Sequence, residues 1–249
     1  MNEMQLEQIA LRAWPAPHIR PIGGWIAQFA YGHTRRANSV TALEWHTGDD
    51  LEQRIAEVER FYSEHGLPAV FRLTHGSQPA QLDAILAQRG YERRAGALVL
   101  QRSMTAGEPD LSQAAEPHDL PLATWISTFS RLHQSDPAEQ IAHQQILAAI
   151  AMPRLNAAIM ADDAPDQVAA CAIAVLDGIH VGVFDVVTES PLRARGYGRR
   201  LMHGIMAWAA RRGASHTYLQ VVETNLPARR LYASLGFSEA YPYWYRVRI

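Results

Sequence analysis

The residues whose types and spacing could do chemistry gather in Ser190-Pro191-Leu192-Arg193-Ala194-Arg195-Gly196-Tyr197-Gly198-Arg199-Arg200. Residues 179–188 before this stretch read as a strand. After it, Leu201, Met202, Ile205, Met206, Trp208 and Ala209 recur at helical spacing. The glycines therefore fall where a strand hands over to a helix. There the first backbone N–H groups of the helix lack internal partners, and the helix dipole adds partial positive charge. Glycine lets the backbone approach a ligand without a Cβ in the way. The natural guest is a phosphate or pyrophosphate. The order Arg-x-x-Gly-x-Gly is not a Walker loop, because no Gly-Lys-Ser/Thr follows. Nor is it the dinucleotide fingerprint, whose glycines are spaced differently.

Such a loop needs a scaffold, and the chain can supply one. It has 249 residues, 48% of them hydrophobic and 19% charged, with a formal net charge of -2. That composition is globular and can bury one large core or two smaller ones. It lacks the basic excess that points to nucleic acid. The one cysteine, Cys171, permits no internal disulfide and reads as a buried strand thiol. No basic stretch followed by an apolar core opens the chain, and no apolar run is long enough for a bilayer. A cytoplasmic location with neither nucleic-acid nor membrane partners is expected.

Periodicity predicts a helix over 4–14, two or three strands over 18–42, and a helix opened by Asp49-Asp50 with the stripe Leu51, Ile55, Val58 and Tyr62. A strand over 69–73, a helix over 79–88 and a strand over 95–102 follow. Residues 105–121 are rich in Pro, Glu, Asp and Ala and read as a linker. Next come helices over 122–132 and 138–150, and strands over 155–160 and 168–176 joined by a polar turn. Asp177-Gly178 signals a two-residue hairpin into the strand before the glycine loop. After the central helix lie a strand over 216–222, a helix over 226–234 and a last strand over 241–248.

A second motif, Asn225-Leu226-Pro227-Ala228-Arg229-Arg230-Leu231-Tyr232-Ala233-Ser234-Leu235-Gly236-Phe237, joins the loop. Together, and in this order of elements, they resemble the GNAT superfamily, the acyl-CoA-dependent N-acetyltransferases, over roughly residues 121–249. The resemblance implies an α/β fold with a mixed, mostly antiparallel sheet flanked by helices. It implies acetyl-CoA as co-substrate and no metal. The amides of Arg193, Ala194, Arg195, Gly196, Tyr197, Gly198 and Arg199 would then hold the pyrophosphate, with the arginines adding charge, while Arg200 reads as a solvated helix start. Val186, Val187 and Thr188 would offer backbone groups to the pantetheine arm, where the fourth and fifth strands of that fold part. Asn225 would hydrogen-bond the arm or cap its helix.

Tyr232 would lie beside the thioester sulfur. A phenol (pKa ~10) stays protonated at neutral pH whereas a thiol sits near ~8.5, so its part would be to hydrogen-bond the departing sulfur. The superfamily often places a glutamate base on the fourth strand, and His180-Val181-Gly182-Val183-Phe184-Asp185 holds none. By alternation His180, Gly182 and Phe184 share one face and Asp185 the other. His180, Asp185, Glu223 and a water chain are the candidates, with Asp185 placed beside Tyr232 as the catalytic pair. Tyr241, Tyr243 and Tyr245 share a face of the last strand and could border the acceptor.

A faint internal repeat extends the argument to the first half. Gln88-Arg89-Gly90-Tyr91 matches Ser234-Leu235-Gly236-Phe237 at an offset of 146 (236 − 90). The expected organisation is tandem: a degenerate GNAT-like half over 1–105, a linker over 106–120 and an N-acetyltransferase domain over 121–249. Where the loop should lie, the first half has His46-Thr47-Gly48-Asp49-Asp50, whose carboxylates repel a pyrophosphate. Leu86 stands where Tyr232 does. The expected activity is transfer of an acetyl group from acetyl-CoA to a primary amine, on a small molecule or a protein, by direct transfer in a ternary complex. Transfer of a longer acyl group and a non-catalytic acyl-CoA sensor are the alternatives.

Overall fold

In the computed structural model, which describes residues 2–105, 108, 111 and 114–248 (Ala95 by its backbone), the chain divides into two units. The first takes residues 1–98, 141–150 and 241–249, the second residues 99–140 and 151–240. Among the described residues there are seven α-helices and eleven strands in a mixed, mostly antiparallel arrangement.

The first unit starts with helix α1 (Glu3–Ala13), set by a capping box in which Asn2 Oδ1 accepts from the Gln5 amide at 2.8 Å. Strands β1 (His18–Ile22), β2 (Trp25–Phe29) and β3 (Val40–Ala42) follow, so the 18–42 segment holds three strands. Helix α2 (Leu51–Glu64) buries Ile55, Val58 and Tyr62 of the predicted stripe, with Leu51 at its margin, and Tyr62 donates its phenol to Gln28 O at 2.7 Å. Full burial of such a side chain contributes about 1.5–3 kcal/mol. Strand β4 (Val70–Leu73) runs parallel to β3, and helix α3 (Leu82–Gln88) follows it. Strand β5 (Glu92–Ser103) has residues in both units.

The second unit begins with the end of β5. Residues 106, 107, 109, 110, 112 and 113 of the expected linker lie outside the described residues. Within its last part, His118–Asp119 form the short strand β6, which composition did not signal. Helices α4 (Leu122–His133) and α5 (Pro137–Ala148) come next, residues 141–148 of α5 belonging to the first unit. Strands β7 (Arg154–Ala161), β8 (Ala164–Asp177) and β9 (His180–Thr188) form an antiparallel meander, with β6 pairing on β7. The β8–β9 hairpin pairs Asp177 with His180, so its two loop residues are Gly178 and Ile179, one step later than the sequence signal. Gly178 takes the left-handed φ of 59° that such a turn demands.

Helix α6 (Tyr197–Ala210) buries Leu201, Met202, Ile205, Met206, Trp208 and Ala209, all of the expected stripe. Strand β10 (His216–Val222) runs parallel to β9, and helix α7 (Leu226–Ser234) follows it. The last strand, β11 (Ser238–Val247), pairs antiparallel with β4 of the first unit through its residues 244–247. The repeat offset recurs in the elements: α2 and α6 correspond at both ends (197 − 51 and 210 − 64 are each 146). Each is followed by a strand parallel to the one that precedes it.

Candidate active site

The site is set by how β9 meets its two neighbours. Against β8, pairing runs regularly from Asp177↔His180 to Ile173↔Phe184 and resumes at Cys171↔Val187. One β8 residue, Ala172, thus faces two on β9, Asp185 and Val186, which is a β-bulge. Asp185 carries a φ of 53°, in the left-handed region that Asp tolerates better than most residues. Strict alternation therefore fails through this segment. Phe184 and Val187, three apart, share a face because their partners Ile173 and Cys171 are two apart.

Against β10, pairing runs from His180↔His216 to Val183↔Leu219. Beyond it β9 continues to Thr188 and β10 to Val222 without pairing across the gap. The gap lies at the carboxyl ends of two parallel strands, where open α/β sheets leave room for ligands. Gly182 makes the last turns of the pairing possible. A Cβ there would lie 2.6 Å from the hydroxyl of Tyr218, its partner on β10, so the ring takes the space of the missing side chain. Val186, Val187 and Thr188 are half-buried along the unpaired part of β9.

After β9 the chain makes a 3₁₀ turn (Ser190–Leu192) and enters the glycine loop. Ala194 (φ 61°) and Gly196 (φ 86°) are both left-handed. Gly196 is the N-cap of α6, with no side chain capping it, and a Cβ built there meets nothing within 4 Å. The first amide in the helical ladder is that of Arg200, bonded to Gly196 O at 3.0 Å. The amides of 194–199 donate to no group among the described residues, which leaves an open, partly positive helix end. Gly198 is the tight point: its Cβ would lie 3.3 Å from Leu231 of α7 and 3.5 Å from the Thr188 hydroxyl.

The arginines of the loop are engaged with protein atoms. Arg193 Nε donates to Thr188 O at 3.3 Å, Arg195 faces Asp163 at 3.6 Å, and Arg199 donates to the Ser234 hydroxyl at 2.7 Å. Arg200 donates to both oxygens of Asp162, at 2.7 and 3.0 Å, and holds that carboxyl below its usual range. Tyr197 is buried, with its hydroxyl taking the Asp162 amide at 3.0 Å. Its ring fastens the β7–β8 turn, so only its backbone faces outward.

Tyr232 lies on α7, 6% exposed, with its ring 5.9 Å from that of Phe237. Nothing among the described residues hydrogen-bonds its hydroxyl, and burial pushes its pKa up to about 12. Asn225 is the N-cap of α7, its Oδ1 accepting from the Ala228 amide at 3.2 Å. Glu223 is exposed at the end of β10, by the gap. His180 is at the other end of β9, roughly 16 Å along the strand from Asp185. It stacks near His216 at 5.4 Å, away from the loop. Cys171 is buried, and burial, assisted by the Asp185 charge, pushes its thiol up to about 12. Sequence reasoning overlooked Tyr218 and Glu189, the residue after β9. Glu189 is legible as a carboxylate placed just before the glycine loop.

The first unit differs at the corresponding helix. Asp50 caps α2 with its side chain, accepting from the amides of Glu52 (3.0 Å) and Gln53 (3.2 Å). Asp49 accepts from the His46 amide at 2.8 Å and from Arg54 at 2.7 Å. Tyr241, Tyr243 and Tyr245 are buried in this unit: Tyr241 donates to Glu7 at 2.6 Å, and Arg72 stacks on the Tyr243 ring at 3.9 Å. Glu7 and Arg72 form a buried ion pair beneath them. Among the described residues no group of three or more His, Cys, Asp or Glu is arranged to hold a metal ion, and no helix is long and apolar enough to cross a membrane.

A family profile described as "Probable histone acetyltransferase Rv0428c C-terminal" matches residues 3–246. The chain is 30% identical over 249 residues to "Uncharacterized N-acetyltransferase YobR" of Bacillus subtilis (strain 168), covering 98% of each chain. Among solved structures, a GCN5-related N-acetyltransferase from Kribbella flavida superposes with a TM-score of 0.70 at 14% identity, over 99% of this chain and 96% of that one. A tandem GNAT protein from the clavulanic acid biosynthesis pathway does so with a TM-score of 0.65 at 13% identity, over 84% of this chain and 74% of that one. At such identities the solved structures speak to the fold, which is the tandem GNAT fold.

Proposed function

Since the chain belongs to the acetyltransferase family whose profile spans residues 3–246, and is an acyltransferase of GNAT type, we propose that it moves an acetyl group from acetyl-CoA to a primary amine. The observation that carries this reading is one arrangement in the second unit. The partnerless amides of 194–199 open at the start of α6, the β9–β10 gap lies behind them, and Tyr232 sits on the helix after β10. This donor set fits a pyrophosphate followed by a narrow arm. The amides of Ala194 to Arg199 would hold the phosphates, that of Arg193 being bonded to Ser190 O at 3.3 Å, and Val186, Val187 and Thr188 would pair with the arm. Asn225 would contribute its amide nitrogen, since its oxygen caps α7. Arg195 holds its protein partner at the longest distance of the loop arginines and is the freest to turn to a phosphate.

Bound acetyl-CoA supplies an activated acetyl thioester. The chain's own groups then have three tasks. Unpaired backbone N–H groups on the open edge of β9 polarise the acetyl carbonyl, a fixed dipole aimed at developing negative charge. Tyr232 donates a hydrogen bond toward the departing sulfur and keeps its proton. Against a thiol near ~8.5, a phenol at about 12 makes full transfer uphill by ~3.5 units, or about 5 kcal/mol. Asp185, at the bulge, or Glu223, across the gap, takes the proton of the ammonium directly or through water. That step matters most for a lysine-type amine (pKa ~10.4), neutral about once in two thousand at pH 7. Cys171 is buried on β8 and burial raises its pKa, which makes it a poor acyl carrier and supports direct transfer in a ternary complex.

The test is a panel of small amines and amine-bearing peptides with the purified chain and acetyl-CoA, following thiol release. Amine-dependent release, one thiol per acetylated amine, is expected. Tight coenzyme binding with no amine-dependent release across the panel would favour a sensor instead.

A further inference from the structure

Glu189 is fixed at four points where β9 turns into the glycine loop. Its amide donates to Ala169 O at 2.9 Å, and its carbonyl accepts from Leu192 N at 2.9 Å, closing the 3₁₀ turn. Its Oε1 accepts from Arg131 of α4 at 2.8 Å, and its Oε2 accepts from the Gln167 amide of β8. The carboxylate is only 17% exposed, whereas Arg131 is 53% exposed. Five residues later, at Ala194, the open amides begin. A carboxylate in this place is a liability in a loop built for a dianion, because like charges near an anion site repel the ligand. A Ser or Thr could close the same turn without that charge.

We propose that Arg131 and Glu189 form a positioning pair for the donor site: Glu189 ties the root of the loop to α4 and β8, and Arg131 cancels its charge so that the loop accepts a pyrophosphate. Arg131 thus acts on the coenzyme through Glu189 and does not touch it. The inference rests on the coenzyme-A assignment of the loop and adds to it a helix, α4, that the loop motif does not contain. It also explains why a carboxylate is tolerated beside four arginines without claiming any of them: Arg193, Arg195, Arg199 and Arg200 each have other partners, and Glu189 has its own.

The experiment is calorimetry with free coenzyme A at low salt on four proteins: the natural chain, Arg131→Ala, Arg131→Lys, and Arg131→Ala combined with Glu189→Gln. Thermal melts establish that each is folded. Arg131→Ala should bind about tenfold more weakly, because it removes the cation beside Glu189 and leaves Gln167 as its side-chain partner. Added salt should narrow that deficit by screening it. Arg131→Lys keeps the cation and should stay within about threefold of the natural chain. The double variant, having lost both charges, should also return to within about threefold. Natural affinity in Arg131→Ala overturns the pair. So does a double variant as weak as Arg131→Ala, which would mean that Arg131 meets the coenzyme itself. A natural chain that binds no coenzyme A overturns the donor assignment and this inference with it, an outcome distinct from the other two.

Discussion

Helices α2 and α6 have the same length, occupy the same place in the repeat and begin in opposite ways. Asp50 caps α2 and takes two of its free amides, while Gly196 caps α6 with no side chain and leaves them open. The strands before them differ in the same sense. β3 pairs with β4 up to Thr41↔Arg72, one residue short of both strand ends. β9 and β10 part at Val183↔Leu219 and run on unpaired. At the repeat position of Tyr218, the first unit has Arg72 (218 − 146), locked to Glu7. On the reading proposed above, the contrast teaches that a helix start of this kind is filled when the chain supplies a carboxylate of its own.

The comparison can be broken by exchanging the caps. Gly196→Asp puts a carboxylate where the first unit has one, and coenzyme A affinity by calorimetry should fall at least about thirtyfold, or ~2 kcal/mol. The left-handed φ at 196 suits Asp better than most residues, so the variant should fold. Affinity within threefold of the natural chain would mean that the open amides of α6 hold nothing.

Tyr232→Phe sharpens the second difference, since Leu86 fills that position in the first unit. Steady-state kinetics should show kcat lowered about tenfold, with coenzyme affinity unchanged, as a lost hydrogen bond to developing charge implies. Because burial pushes the phenol's pKa up to about 12, the natural enzyme should show no alkaline loss of kcat from this group up to about pH 10. Unchanged kcat in Phe would reduce Tyr232 to packing.

The smallest effect belongs to the first unit. Asp50→Ala removes an ordinary cap and should cost about 1 kcal/mol in denaturant unfolding, with coenzyme affinity and a stoichiometry of one per chain untouched. A second equivalent of bound coenzyme in this variant would show that the self-supplied carboxylate was all that closed the first unit.

Much of this was legible in the sequence because it depends on local pattern. The α6 stripe, the strand-to-helix glycines and the Asn225–Phe237 motif need only a few neighbouring residues to be read. The carboxylates at Asp49 and Asp50 announce a filled helix start by residue type alone. What stayed hidden depends on pairing between distant strands. Alternation along β9 cannot reveal that Ala172 faces two residues, so the bulge at Asp185 and the shared face of Phe184 and Val187 were out of reach. The engagement of Arg200 with Asp162 bridges 38 positions, and that of Arg131 with Glu189 bridges 58. The partners of Tyr241 and Tyr243, Glu7 and Arg72, lie far away in the chain, where no pattern on the last strand contains them.

The membership of the final strand also sets an order in time. Residues 241–249 belong to the first unit, where Trp244 pairs with Leu73, and Trp244 and Arg246 both grip Asp83 at 2.8 Å. A ribosome delivers residues from the front, yet the front unit lacks a strand until residues 241–247 have been made. The β7–β8–β9 meander, by contrast, closes on neighbours and can form as it emerges. The nascent first unit must therefore wait with an unfinished sheet edge while the second half is made, the interval in which a chain is most exposed to aggregation and to chaperones. A chain stopped before Tyr241 would leave β4 without the partner that Trp244 to Val247 provide.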